Sequence, residues 1–183
     1  MPKTYSIGER ISVSKKEDST SIIIYPEKSK INQILLFVWF LLWTAGGLIM
    51  LFGRQLGYYS APKTYVMVWM AFWLYFEYIV GYALLWRSYG FERILLKNKK
   101  LYYKKEIIGK GKTKTFEFEF IKDLQLLPIN ERSFAKVMSD SYWMPGGEKL
   151  FFWYQGKQIR FGQQLHDNDA KNLLKLLKNE IAK

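Results

Sequence analysis

The chain has 183 residues and a formal net charge of +12, from 28 Lys and Arg against 16 Asp and Glu. It contains no Cys and one His, His166, which excludes disulfides and thiolate metal sites and argues against His-based catalysis. Spacing places no nucleophile beside a base. We therefore predict a protein that is not an enzyme and that holds neither a cofactor nor a metal.

Two long apolar runs, at residues 31–52 and 65–86, are joined by a short link at 53–64. At a rise of about 1.5 Å per residue, each run can cross a hydrocarbon core about 30 Å thick. We therefore expect a transmembrane helical hairpin, with residues 31–87 as its full extent. The first run is too long and begins too late for a cleaved secretory signal, so both helices should stay in the mature protein.

Basic residues are dense on both flanks of the hairpin, whereas the link holds only Arg54 and Lys63. Short loops rich in Lys and Arg stay on the cytoplasmic side of a membrane. We therefore expect both termini in the cytoplasm and the link on the outer side.

The second apolar run is rich in aromatic residues, including Trp69 and Trp73, and it holds one acidic residue, Glu77. A carboxylate at this depth is costly, so Glu77 should be protonated, hydrogen-bonded or turned toward protein or water. In an antiparallel hairpin, Thr44 lies at a similar depth and can supply a hydroxyl. The small residues at 44–47 should let the helices approach closely, the alternative being that they only soften the first helix locally. A lone carboxyl fits a structural hydrogen bond or a partner contact better than a proton relay. The mid-span aromatic residues are expected to pack against lipid tails or a partner helix, and a pigment or quinone site is the less favoured alternative for them.

The rest of the chain predicts a soluble domain in two parts, residues 1–30 and 88–183. Alternating or β-branched runs predict seven strands, at 9–14, 19–25, 92–97, 101–108, 114–120, 150–154 and 158–161. Residues 121–127 are ambiguous, and 128–148 are predicted to form a long irregular connection. A final helix, capped by Asp167 or Asn168, should bury an apolar face made of Ala170, Leu173, Leu174, Leu177 and Ile181.

Three stretches carry a family resemblance: FVWFLLWTAGG at 37–47, IIGKGKTKTFEF at 107–118 and GKQIRFGQQLHDNDAKNLL at 156–174. With them the chain resembles a group of uncharacterised bacterial membrane proteins that have two transmembrane helices and a split pleckstrin-homology-like domain. The resemblance implies an α+β membrane protein of the bacterial inner membrane, with the hairpin inserted in a seven-stranded antiparallel barrel or sandwich that ends in a helix. Two-span photosystem I assembly factors are similar in layout only.

Lysines at the two ends of the predicted strands should have different surroundings. The turns at 109–112 and 155–157 are predicted near the membrane, and Lys15, Lys16 and residues 97–100 lie a strand length away, roughly 20 Å. The distal lysines then serve either solubility or an acidic protein partner. Glu17 and Asp18 beside the first pair depart from the lipid-binding pleckstrin-homology pattern, which argues against phosphoinositide-type recognition.

Two hypotheses on function follow. The first is a non-enzymatic membrane interaction module, an accessory subunit or assembly factor, that binds another membrane subunit or a second copy through Glu77, Trp69, Trp73, Trp143 and Met144. The second is a protein that binds anionic lipid headgroups through Lys28, Lys30, Arg87, Lys110, Lys112 and Lys157. Half of the aromatic rings on the basic strands must fill the core, which argues against nucleic-acid binding.

Overall fold

The structure is a computed structural model that describes residues 3–58, 60–128 and 146–182. Its strands are β1 (Lys3–Ile7), β2 (Ile11–Lys16), β3 (Ser19–Ile24), β4 (Gly90–Lys97), β5 (Lys100–Ile107), β6 (Thr113–Glu117), β7 (Ile121–Leu126), β8 (Glu148–Tyr154) and β9 (Lys157–Gln163). Its helices are α1 (Lys30–Gln55), α2 (Lys63–Tyr89) and α3 (Asp167–Ile181). The chain divides into two compact units, one built from the strands and α3, the other from residues 28–88.

The α1–α2 hairpin is inserted between two strands that are neighbours in one sheet. β3 and β4 pair antiparallel, from Ser19 opposite Lys97 to Ile24 opposite Glu92. The chain therefore leaves the sheet after β3 and returns at the same end of the sheet in β4. Both helices are long and apolar enough to cross a membrane, over Lys30–Gly53 and Lys63–Tyr89, and they contain the two predicted spans.

The strand-rich unit has two antiparallel sheets around one hydrophobic core. β1 to β6 form the larger sheet in chain order, and β7 to β9 form the smaller one. Buried side chains of both sheets and of α3 belong to one cluster, which includes Ile94, Phe152 and Leu173. Aromatic rings join the sheets, since Phe116 meets Phe152 edge to face with centroids 5.1 Å apart. The predicted α+β class is confirmed.

A buried carboxylate also links the sheets. Glu92 of β4 is 1% exposed. It accepts hydrogen bonds from the backbone N–H groups of Gly162 and Gln163 in β9, at 2.9 Å each, and from the hydroxyl of Tyr103 at 3.0 Å. Arg10, which lies between β1 and β2, also reaches β9, because its Nη2 donates to the carbonyl oxygen of Gln163 at 3.1 Å. Buried polar groups with this many partners fix the position of one sheet on the other.

The predicted count of seven strands is wrong, because the part of the chain that the structure describes has nine strands. They form two separate sheets, so of the two predicted arrangements, barrel or sandwich, the barrel does not form. β1 was not predicted because it is a short edge strand that is almost wholly exposed, so it has no buried face to mark it in the sequence. β7 was ambiguous because its pairing with β8 shifts register between Lys122 and Gln125, and Asp123 has a φ of 51°. Such a bulge breaks the period of two on which strand prediction rests.

The strand predicted at 114–120 is also shorter than expected. β6 ends at Glu117, and Phe118–Phe120 form a 3-10 turn that leads into the smaller sheet. Phe116 is buried at 5% exposure, whereas Phe120 is 41% exposed. The alternation of Phe and Glu therefore does not extend along one strand, because the chain changes sheets within it.

The final helix is confirmed, but its predicted cap is wrong. His166 occupies the N-cap position without a side-chain hydrogen bond, and Asp167 is the first helical residue. The acidic side chains of Asp167 and Asp169 in the first turn still stabilise the helix, because their negative charge lies at the positive end of the helix dipole. Ala170, Leu173 and Leu177 are buried, as the apolar spacing predicted. The predicted connection at 128–148 lies mostly outside the described residues.

Candidate interaction surface of the helical hairpin

The two helices of the hairpin meet where Gly47 of α1 faces Trp73 of α2. A Cβ atom on Gly47 would overlap the Trp73 indole ring, so glycine is needed for this contact. Trp73 Nε1 donates to the carbonyl oxygen of Trp43 at 3.0 Å, and Trp43 Nε1 donates to the carbonyl of Trp73 at 3.4 Å. A Cβ atom on Gly46 would meet nothing within 4 Å. α1 and α2 therefore approach closely, as expected, and of the two glycines only Gly47 is needed for the contact.

A polar contact lies one helical turn away. Thr44 Oγ1 donates to Glu77 Oε1 at 2.7 Å and lies 2.8 Å from the carbonyl oxygen of Phe40. Because a hydroxyl has one proton, Thr44 shares it between these two acceptor oxygens. Glu77 Oε2 is enclosed and has no hydrogen-bond partner among the described residues. Glu77 thus serves first as a link between α1 and α2.

The outer surface of α2 carries a stripe of tyrosines near the middle of the helix. Tyr75, Tyr78 and Tyr82, the tyrosine stripe, are spaced by three and four residues and so lie on one helical face. Tyr75 is 58% exposed and Tyr78 is 72% exposed. The rings of Tyr78 and Tyr82 have centroids 6.4 Å apart. Within residues 3–58, 60–128 and 146–182, none of the three hydroxyls forms a hydrogen bond.

The residues predicted to bind a partner lie in different places. Trp73 is 8% exposed inside the hairpin, Glu77 is half-buried against Thr44, and Trp69 is half-buried. Trp143 and Met144 lie outside the described residues. The spacing of the tyrosine stripe was visible in the sequence. The sequence alone does not single it out, because tryptophans and phenylalanines are spread around α2 and aromatic content therefore does not distinguish the inner face from the outer one.

The residues predicted to touch lipid headgroups differ in exposure. Five of the six are exposed: Lys28, Lys30, Lys110, Lys112 and Lys157. Arg87, in the last turn of α2, is 2% exposed and so has almost no surface for a headgroup. Lys110 closes the β5–β6 turn, at the end of the sheet where Gly90 pairs with Ile107. Ile24, at the end of β3, and Gly90, at the start of β4, lie at this same end of the sheet and are the strand residues nearest in sequence to the hairpin.

The lysines predicted to lie far from the hairpin gather at the opposite end of the larger sheet, where Ser19 pairs with Lys97. Lys15 Nζ lies 2.6 Å from Glu180 of α3, and Lys100 Nζ lies 3.0 Å from Glu117. The hydrogen bond and negative charge of Glu117 raise the pKa of Lys100 above its ordinary 10.5. These pairs leave less of the local positive charge for an acidic partner.

Comparison of the chain with protein-family models and with curated proteins gives no match. Within the described residues, no three His, Asp or Glu side chains are grouped so that they could hold a metal ion. The exposed surfaces of the hairpin and of the strand-rich unit therefore carry the evidence on function.

Proposed function

We propose that the chain is a non-enzymatic membrane protein whose hairpin binds another membrane-spanning helix through the tyrosine stripe, as an accessory subunit or assembly factor. The supporting observation is the exposure of Tyr75 and Tyr78 near the middle of an apolar helix, with hydroxyls that bond to no described residue. Lipid tails offer no hydrogen-bond acceptor, so a phenol facing them loses the bond it makes in water. A partner helix with hydroxyl, amide or free carbonyl oxygens restores it.

The inner face of the hairpin already has its contacts, which leaves the outer face for a partner. Trp43 and Trp73 exchange hydrogen bonds, and Thr44 holds Glu77. Apolar side chains on the outer face lose nothing in lipid, so only the polar atoms there favour protein over lipid. Near the middle of α2, the exposed side chains with such atoms are Tyr75 and Tyr78.

The proposed location is the inner membrane of a bacterium, with both termini in the cytoplasm. The basic flanks support this orientation through the positive-inside rule. The pairing of β3 with β4 adds support, because the two ends of the hairpin then belong to one sheet and face one side of the membrane.

Affinity purification of the tagged full chain from native membranes in a gentle detergent, followed by mass spectrometry and mass photometry, tests the proposal. The test variant is Tyr75→Phe/Tyr78→Phe, which keeps the rings and removes two hydroxyls. The control is Tyr58→Phe/Tyr65→Phe, which removes the hydroxyls of a tyrosine in the link that is 79% exposed and of a tyrosine at the start of α2 that is 57% exposed.

We expect the wild type and the control to retain one stoichiometric membrane protein, or a second copy of the chain. The test variant should retain about sevenfold less, from two interhelical hydrogen bonds of roughly 0.6 kcal/mol each. A wild-type chain that purifies as a monomer without a partner contradicts the proposal, as does equal retention by the two variants.

A further inference from the structure

A basic cleft of about 380 Å³ opens in the strand-rich unit between β5, the start of β6 and β9. Its lining residues are Tyr103, Lys105, Lys112, Lys114, Gln158, Ile159 and Arg160. Four of these seven side chains are cationic and none is acidic. The cleft shares no residue with the tyrosine stripe.

The fold brings these cations together by strand register. Tyr103 of β5 is opposite Lys114 of β6, and Tyr103 is buried at 6% exposure, so Lys114 projects from the same, inner face of the sheet. Lys105 follows Tyr103 by two residues and lies on that face as well. The inner face of the larger sheet therefore changes from apolar to basic toward this end of β5.

The turn before β6 sets the position of Lys112. Ile108 and Gly109 have φ values of 49° and 73°, and Ile107 and Lys110 exchange backbone hydrogen bonds of 2.9 Å in both directions. A Cβ atom on Gly111 would overlap the carbonyl oxygen of Lys105, so the chain passes close to β5 before it reaches Lys112. This close passage holds the start of β6 beside the cleft.

The cleft keeps most of its positive charge. Lys105 Nζ lies 3.1 Å from Glu148, but no described acidic residue forms an ion pair with Lys112, Lys114 or Arg160. Arg160 Nε and Nη2 donate to Gln158 Oε1 at 2.9 and 2.8 Å, which orients the guanidinium without neutralising it. An oriented guanidinium loses less conformational freedom when it binds an anion.

We propose that this cleft binds a phosphate-bearing anion. Guanidinium and ammonium groups supply charge-assisted hydrogen bonds to phosphate oxygens, and arginine can bind two of them at once. The cleft is also within the size range of small-ligand sites, roughly 300 to 1,000 Å³. The phosphate belongs either to a lipid headgroup or to a soluble molecule, and two arms of one experiment separate these sources.

The experiment compares three forms of the full chain. They are the wild type, Lys112→Gln/Lys114→Gln in the cleft, and Lys171→Gln/Lys175→Gln on α3, where both lysines are exposed. The two variants lose the same charge, and circular dichroism verifies that each is folded. In the first arm, pyrophosphate is titrated calorimetrically into each form in phosphatidylcholine nanodiscs. In the second arm, phosphatidylglycerol is added to each form in detergent, and native mass spectrometry counts retained lipid.

We expect saturable binding in at least one arm, weakened about tenfold in the cleft variant and unchanged in the control. Binding of pyrophosphate alone identifies a soluble ligand, and binding of phosphatidylglycerol, with or without pyrophosphate, identifies a lipid headgroup as a source. Equal weakening in both variants would show an effect of net charge and would overturn the proposal. Absence of saturable binding in both arms would overturn it as well.

Discussion

At the scale of single residues, the buried carboxylate of Glu92 links the two sheets through three hydrogen bonds. Each of its oxygens accepts a backbone N–H from β9, and Oε2 also accepts the Tyr103 hydroxyl. The sequence did not reveal this role, because a Glu near the start of a predicted strand looks like a solvent-facing residue. Only the position of β9, which local periodicity does not fix, shows what Glu92 binds.

We predict that Glu92→Gln weakens the attachment of β9. An amide has one acceptor oxygen, so at least one buried N–H is left facing an NH2 group, at a cost of about 2 kcal/mol. Hydrogen exchange followed by mass spectrometry should show faster exchange in β9. Thermal unfolding should show a lower midpoint. The control is Glu119→Gln, at an exposed carboxylate. Unchanged exchange in β9 would show that Glu92 does not hold the sheets together.

At the scale of secondary-structure elements, Gly47 sets the packing of α1 on α2. Gly47→Ala places a methyl group where the Trp73 ring lies, so the helices must separate or Trp73 must move. We expect a loss of about 1 to 3 kcal/mol, which is typical of overpacked sites. Thermal unfolding in detergent measures the change as a lower midpoint.

Gly46→Ala is the matched control for this substitution, because its new Cβ atom meets nothing within 4 Å. Alanine also favours helix over glycine by about 1 kcal/mol. The midpoint of this control should stay the same or rise. Equal losses in the two variants would contradict the assigned helix contact.

Elements with a strong local pattern could be predicted from the sequence. The two apolar helices, the hairpin of β2 and β3, and the buried face of α3 all follow from periodicity or length of apolar runs. β1 and β7 could not be predicted in this way. β1 is mostly polar and is held in place by its pairing with β2. β7 contains a bulge, which arises where its pairing with β8 shifts register.

At the scale of the whole molecule, the insertion of the hairpin could be inferred from strand patterns on both sides of it. The division of the strands into two sheets could not, because it depends on pairing between strands far apart in sequence. The 3-10 turn at Phe118–Phe120 separates the larger sheet from the smaller one. For the interaction surface, the sequence identified an aromatic helix, and packing against Gly47 was needed to separate its inner face from its outer one.

Membrane orientation can be tested cleanly because the chain has no native Cys. We predict that Tyr58→Cys in the link reacts with a membrane-impermeant maleimide in intact spheroplasts. Lys16→Cys, at the end of β2, should react only after the membrane is broken. Both side chains are exposed, so a difference between them reports sidedness. Labelling of Lys16→Cys alone in intact spheroplasts would reverse the proposed orientation.

Site-specific photocrosslinking in native membranes tests the central claim most directly, namely that the tyrosine stripe of α2 contacts another membrane-spanning helix. A benzophenone amino acid replaces Tyr78, which is 72% exposed, or Leu42, which is 69% exposed near the middle of α1. We predict a discrete protein adduct from position 78 and mainly lipid adducts from position 42. Lipid adducts alone from both positions, or the same protein adduct from both, would contradict the account.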